Sequence, residues 1–315
     1  MRTLPPFLGL LLLGAIIGPS WAQTSYPLTI DNCGMQVTLP AAPQRMVAIK
    51  SSAVELLLAL GVAERIVGVG FQDGPVPEQW ADAAKDLAVL SDKLPSQEVV
   101  LATEPDFVYG GWESNFTGEG AGERAVLQQL GVASYVSPAA CRSIKPPKLT
   151  FDALFDEMAE LGRLVDATAQ AEALIARQRA ELAKVTADNR GLTAVWYSSG
   201  TKIPYVGAGS NAPAMMLEAL GLNNIMGSVD DGWISASWEA VVAADPDVIV
   251  LVDAVWNSAE QKKKLLAENP ITSQLDAVQQ QHYLVIPFPA SEAGVRNVGA
   301  VTDMATQLAK LSFGP

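Results

Sequence analysis

Lys50 and Arg296 are the side chains best placed to hold an anion. Lys50 follows the apolar run Met46-Val47-Ala48-Ile49, and Arg296 stands in the last loop before a closing helical stretch, Val298 to Leu311. A phosphate diester or carboxylate prefers an arginine fork or a lysine point charge to any neutral group. Ser51, Ser52, Ser198 and Ser199 add hydroxyl donors near predicted strand ends. The alternative for Lys50 is a solvated loop lysine. Trp112, Trp233 and Trp256 fall in predicted loops, where an indole face suits a planar ring; packing between lobes is the other use for them. Tyr109 and Tyr197 end β-forming runs, so each either points into a site or caps the core.

Catalysis finds little material in this chain. Gly207-Ala208-Gly209-Ser210-Asn211 puts its serine in the wrong place for a nucleophile elbow. The single histidine, His282, precedes Tyr283-Leu284-Val285-Ile286 and reads as a strand-entry residue, which leaves no Ser-His-Asp set. Gly68-Val69-Gly70 lacks a third glycine at dinucleotide spacing. With one histidine and two cysteines, the sequence offers no transition-metal cluster at a recognised spacing. No catalytic residue, metal or cofactor is expected. Cys33 and Cys141 read as a disulfide if the compartment is oxidising. Such a bridge ties the hairpin Leu28 to Leu39 to the end of the first lobe.

Residues 1–22 indicate that compartment. Arg2, the apolar stretch Phe7 to Gly18 and Ser20-Trp21-Ala22 follow the order of a secretory signal peptide cleaved after Ala22. The stretch is short for a bilayer span, and no cysteine closes it, so a lipid anchor is not expected. The exported chain would keep 20 basic and 34 acidic residues, a net charge of −14, since the leader holds one base and no acid. That balance argues against nucleic acid or an anionic membrane as partner.

The candidate residues are far apart in sequence, so the elements between them decide whether they meet. Gln97-Glu98-Val99-Val100-Leu101-Ala102-Thr103-Glu104-Pro105-Asp106-Phe107-Val108-Tyr109 returns as Trp238-Glu239-Ala240-Val241-Val242-Ala243-Ala244-Asp245-Pro246-Asp247-Val248-Ile249-Val250. The separation far exceeds the period of about 20–50 residues found in solenoids. Each copy predicts a short helix, an acidic-Pro-Asp turn and a strand buried on both faces of a parallel sheet. The chain therefore divides into two α/β lobes with parallel, Rossmann-like sheets and a ligand cleft between them. A hairpin segment spans 23–43, the first lobe 44–148, a connecting helical segment 149–190 and the second lobe 191–315. Within the connector, Thr150 caps a stretch with an apolar stripe at Leu154, Phe155, Met158 and Leu161; a second stretch runs from Thr168 to about Val185.

In order and spacing, these segments resemble the periplasmic substrate-binding proteins of ABC importers, in the class that handles cobalamin, haem and iron–siderophore complexes. The resemblance covers Leu28 to Leu311. It rests on Pro43-Gln44-Arg45-Met46-Val47, Ser52 with Glu55-Leu56 through Leu60-Gly61, both repeated units, Tyr205 to Ser210, Leu220 to Ile225 and Ala293-Gly294-Val295-Arg296. It implies two lobes joined by a single long helix, limited closure, a monomer, and a partner in an inner-membrane permease dimer. Glu98 and Glu239 match the acidic residue that each lobe of this class docks on permease arginines. Trp233 matches a ligand-contacting position of cobalamin-binding members, and Arg296 a class position. Within the class the chain is most similar to proteins assigned to import of a deazaflavin coenzyme precursor. That likeness rests on Phe71 with Asp73-Gly74-Pro75-Val76-Pro77, Gly110 to Phe116, Ser137 to Cys141 and Trp196 to Gly200, and it implies that Phe71 and Trp112 contact ligand.

Overall fold

The computed structural model describes residues 24–314, so the expected leader lies outside the described residues. Strands β1 (Leu28–Asn32) and β2 (Met35–Leu39) form the antiparallel hairpin. In the first lobe, β3 (Met46–Ile49), β4 (Ile66–Gly70), β5 (Val89–Ser91), β6 (Phe107–Gly110) and β7 (Ala133–Val136) pair in the order β5-β4-β3-β6-β7, all parallel. Every residue of β3 and β6 is buried. That is why these strands read as unbroken apolar runs.

The second lobe holds β8 (Thr193–Ser199), β9 (Tyr205–Gly207), β10 (Asn223–Asn224), β11 (Trp233–Ser235), β12 (Val248–Asp253) and β13 (Tyr283–Pro287). Its order is β11-β9-β8-β12-β13, with β10 beside the start of β8. Here the expectation of a wholly parallel sheet is corrected. The strands β8, β10, β12 and β13 are parallel, but β9 runs antiparallel to both its neighbours, β8 and β11. Only residues 200–204 separate β8 from β9, too few for the crossover that parallel pairing needs.

The helices used below are α1 (Ser51–Ala59), α2 (Gln97–Leu101), α3 (Phe151–Leu164), α4 (Thr168–Leu182), α5 (Trp238–Ala244), α6 (Ala259–Glu268) and α7 (Asn297–Leu308). The connector is two helices, α3 and α4, and not one. Asp166 takes φ +52° at the break, and Arg179 near the end of α4 meets Asp152 at the start of α3 at 2.6 Å, so the pair runs antiparallel. Gly162 permits their close approach, since a methyl there would lie 2.4 Å from the Ala171 Cβ. Thr150 caps α3 by accepting from the Ala153 N–H, and Leu154, Phe155, Met158 and Leu161 are buried as the stripe predicts.

The repeated unit occupies equivalent places in the two sheets. α2 leads into β6 between β3 and β7, and α5 leads into β12 between β8 and β13. Its aspartates have one task. Asp106 accepts from the backbone N–H of Gln44 and Arg45 at 2.7 and 2.9 Å, and Asp247 accepts from that of Thr193 at 2.7 Å. Each pins the entrance of the neighbouring strand.

Candidate ligand-binding cleft

Loops after β6, β7, β8, β12 and β13 converge on a cleft of about 660 Å³ between the lobes. Open α/β sheets place ligands beyond the carboxyl ends of their strands. Five aromatic rings line it: Trp112, Tyr205, Trp233, Trp256 and Phe288. Tyr205 stacks on Trp233 with centroids 5.9 Å apart and planes 13° apart, and Trp256 meets Phe288 edge-on at 4.9 Å. Trp256 is 59% exposed, an apolar area whose hydration is unfavourable until something covers it. Ser198, Ser199 and Asn211 supply polar atoms from the second lobe.

Residues 139–147 form much of the first-lobe wall. They have little regular structure, so other bonds hold them. Cys141 is bridged to Cys33, with Cα atoms 5.4 Å apart. Glu113 accepts from the Ser143 hydroxyl at 2.6 Å, the Ser143 N–H at 2.8 Å and the Arg142 N–H. Burial alone would raise the Glu113 carboxyl, but these donors hold it below its usual range.

Lys50 is neither a solvated lysine nor a free anion binder. It is 1% exposed, its ammonium is paired with Asp73, and it lies 3.7 Å from the centre of the Trp112 ring and 4.3 Å from that of Phe71. Burial lowers its affinity for the proton while Asp73 opposes that pull. A charge among rings needs a counter-ion, and this one has it. Lys50 also takes φ +83° and ψ 149°, a glycine-like backbone region that costs roughly 1–3 kcal/mol. Gly111 packs against it, where a methyl would meet the Lys50 Cβ at 2.8 Å.

Other expected contacts are relocated too. The Ser51 hydroxyl is buried and accepts from the Asp73 N–H. Phe71 lies edge-on behind Trp112 at 6.0 Å and supports it without lining the cleft. Tyr109 is buried and donates to Glu157, while Tyr197 is buried and donates to the Gly200 carbonyl; both cap the core. Arg296 grips Glu55 of the first lobe, its Nε 2.6 Å from Oε2, and faces a second, more open groove between α4 and α7. Trp112 and Trp256 line the cleft from loops, with Ser198 and Ser199 beside them, and Trp233 lines it from the start of β11 and not from a loop. Glu98 and Glu239 are exposed in the first turns of α2 and α5, each two residues after a capping serine.

Tyr205, Phe288 and Glu292 were missed. Phe288 directly follows β13, so the strand-end rule would have found it. Tyr205 begins an antiparallel strand and reaches the cleft by the opposite end, where that rule does not look.

The periplasmic binding protein profile matches residues 46–290. The chain belongs to that family. Among curated relatives, an uncharacterised ABC transporter substrate-binding lipoprotein of Bacillus subtilis is 23% identical over 90% of this chain and 86% of its own. A cobalamin-binding protein of Halobacterium salinarum is 28% identical over 72% of this chain and 58% of its own. Among solved structures, a periplasmic binding protein from Veillonella parvula has TM-score 0.79 and 25% identity, covering 93% of this chain and all of that one. A Saccharomonospora viridis protein of an ABC-type Fe3+-hydroxamate transport system gives 0.78 and 26%, covering 90% and 99%. These neighbours share the two-lobed α/β architecture described above.

Proposed function

We propose that this member of the family is the extracytoplasmic binding component of an ABC importer, exported by cleavage after Ala22, with no catalytic role. It carries a bulky, flat small molecule to an inner-membrane permease dimer. The observation that carries this reading is the cleft, five aromatic rings around about 660 Å³, within the range of roughly 300–1,000 Å³ for sites of drug-sized ligands. A deazaflavin coenzyme precursor is the leading ligand, with its tricyclic ring against the indoles and its acidic tail at the rim. Exposed Arg142, free of ion pairs among the described residues, stands at that rim. A corrinoid is the second reading, favoured by the cobalamin-binding relative. Haem would find no histidine here, because His282 does not line the cleft, and would depend on Tyr205 as a phenolate ligand.

The test is a tryptophan-fluorescence titration of residues 23–315 with deazaflavin phospholactate, cobalamin, haem and a ferric hydroxamate. Saturable quenching by the deazaflavin alone supports the leading reading; saturation by cobalamin alone replaces it with the second. Exposure of Glu98 and Glu239 on separate lobes supports permease docking through charge-assisted bonds to a two-fold partner. The prediction is that Glu98→Ala with Glu239→Ala abolishes uptake into permease-bearing vesicles and leaves ligand affinity unchanged. Wild-type uptake by the double variant would sink the docking role.

A further inference from the structure

The floor of the cleft holds a carboxylate that the reading above does not use. Glu292 Oε2 accepts from the Trp112 indole N–H at 2.6 Å, and among the described residues no hydrogen bond reaches Oε1. Its loop is fixed from behind. Buried Asn297 donates to the backbone carbonyls of Ala290 and Glu292 at 2.9 and 2.7 Å and accepts from the Gly294 N–H. The nearby bases are already committed, Lys50 to Asp73 and Arg296 to Glu55. Burial pushes the Glu292 carboxyl up, while the Trp112 N–H and the Lys50 ammonium pull it back toward its ordinary range; ionised, it shares the field of that one ammonium with Asp73.

We infer that Glu292 selects the edge by which the ligand enters: a flat conjugated ring turns an N–H or O–H donor toward Oε1, and any acidic tail stays at the rim beside Arg142. This rests on the flat-ring reading of the cleft and reverses the polarity that Lys50 and Arg296 suggested in the sequence. An anionic group pushed inward would lose its water and meet a carboxylate whose nearest ammonium is already shared with Asp73. A donor edge instead forms a charge-assisted hydrogen bond in a site of low dielectric constant. A ring methylated at that edge leaves Oε1 unpaired, which weakens binding about ten- to a hundredfold.

The test uses lumiflavin, whose tricyclic ring carries one imide N–H, and its N3-methyl derivative, with residues 23–315 as the binding protein. In the wild type, lumiflavin is expected to bind about tenfold or more tightly than the methylated ring. Glu292→Ala binds both alike. Glu292→Gln, which keeps an acceptor for Trp112 and leaves the floor filled, also loses the preference. Arg142→Ala weakens riboflavin 5′-phosphate more than it weakens lumiflavin. Equal affinities for the two rings in the wild type, or a preference that survives in both Glu292 variants, overturn the role of Glu292 and leave the flat-ring site standing. Quenching by neither ring, with saturation by cobalamin or a ferric hydroxamate, overturns the flat-ring reading itself.

Discussion

Glu157 on α3 is a buried carboxyl that takes hydrogen bonds from two hydroxyls, Tyr109 at 3.0 Å and Ser137 at 3.1 Å, and from no ammonium or guanidinium among the described residues. Burial raises it from 4.5 to about 7, although both hydroxyls pull the other way. The folded chain then binds the proton more tightly than the unfolded one. Its stabilising share is complete below about pH 4.5 and is lost as pH rises through about 7. Glu157→Gln keeps an acceptor without the charge, so it should raise stability at pH 8 by at most about 3 kcal/mol. The gain should fall below about 1 kcal/mol near pH 5. Urea melts at the two pH values check this, and a pH-independent difference would refute it. Lys50 makes the opposite case: Lys50→Met strands a buried Asp73 and should cost about 3–5 kcal/mol. Adding Asp73→Leu should restore most of the loss. Neither pairing was legible in the sequence, because a lysine at a strand end looks the same whether or not Asp73 folds back onto it. Trp112 and Trp256 were easier to place, since their loops follow from strand order alone, whereas Trp233 opens β11.

Elements, unlike contacts, were largely legible. The repeated Pro-Asp unit predicted two strands buried on both faces, and the structure adds why its aspartate recurs. Removing the side chain of Asp106 or Asp247 frees backbone N–H groups at a strand entrance. Asp106→Ala or Asp247→Ala should each cost about 1–2 kcal/mol, with faster amide exchange at Arg45 or Thr193 as the local signature. Two elements escaped the sequence reading. The interruption between the two connector stretches was legible but not the reversal at Asp166, a left-handed residue that no glycine announces, and β9 turns back because its connection is short, a constraint that apolar patterning does not record. The cleft wall at 139–147 is the least self-sufficient element. Its order depends on the Cys33–Cys141 bridge and on Glu113. Cys33→Ala with Cys141→Ala should lower stability by about 2–5 kcal/mol. It should also speed ligand dissociation, which stopped-flow displacement of the bound ligand would measure. An unchanged dissociation rate would show that Glu113 alone holds the wall.

At the scale of the whole molecule, bonds between the lobes surround the cleft. Arg296 Nε and Glu55 Oε2 lie 2.6 Å apart, the Arg296 guanidinium also reaches the Pro75 carbonyl at 2.9 Å, and Trp112 holds Glu292. Asn211 donates to the Ala139 carbonyl at 3.0 Å, and from the start of the connector the Leu149 N–H donates to the Ser210 carbonyl at 2.7 Å. Behind them α3 and α4 pack as an antiparallel pair, stiffer across a hinge than one strand of loop. Opening the lobes by rotation would take the half-buried Arg296 guanidinium from the buried Glu55 carboxylate, and that carboxylate left without its partner is strongly unfavourable. A cleft held this way is largely preformed, so binding should change side-chain rotamers more than lobe positions. Small-angle scattering with and without saturating ligand should therefore give superimposable radii of gyration for the wild type. Glu55→Gln removes the counter-charge but keeps the shape, and Arg296→Met removes the clamp entirely. The second variant should expand without ligand, contract on binding and bind more weakly, because part of the interaction must then close the lobes. A wild type that contracts as much as Arg296→Met would mean that the ion pair does not set the resting geometry.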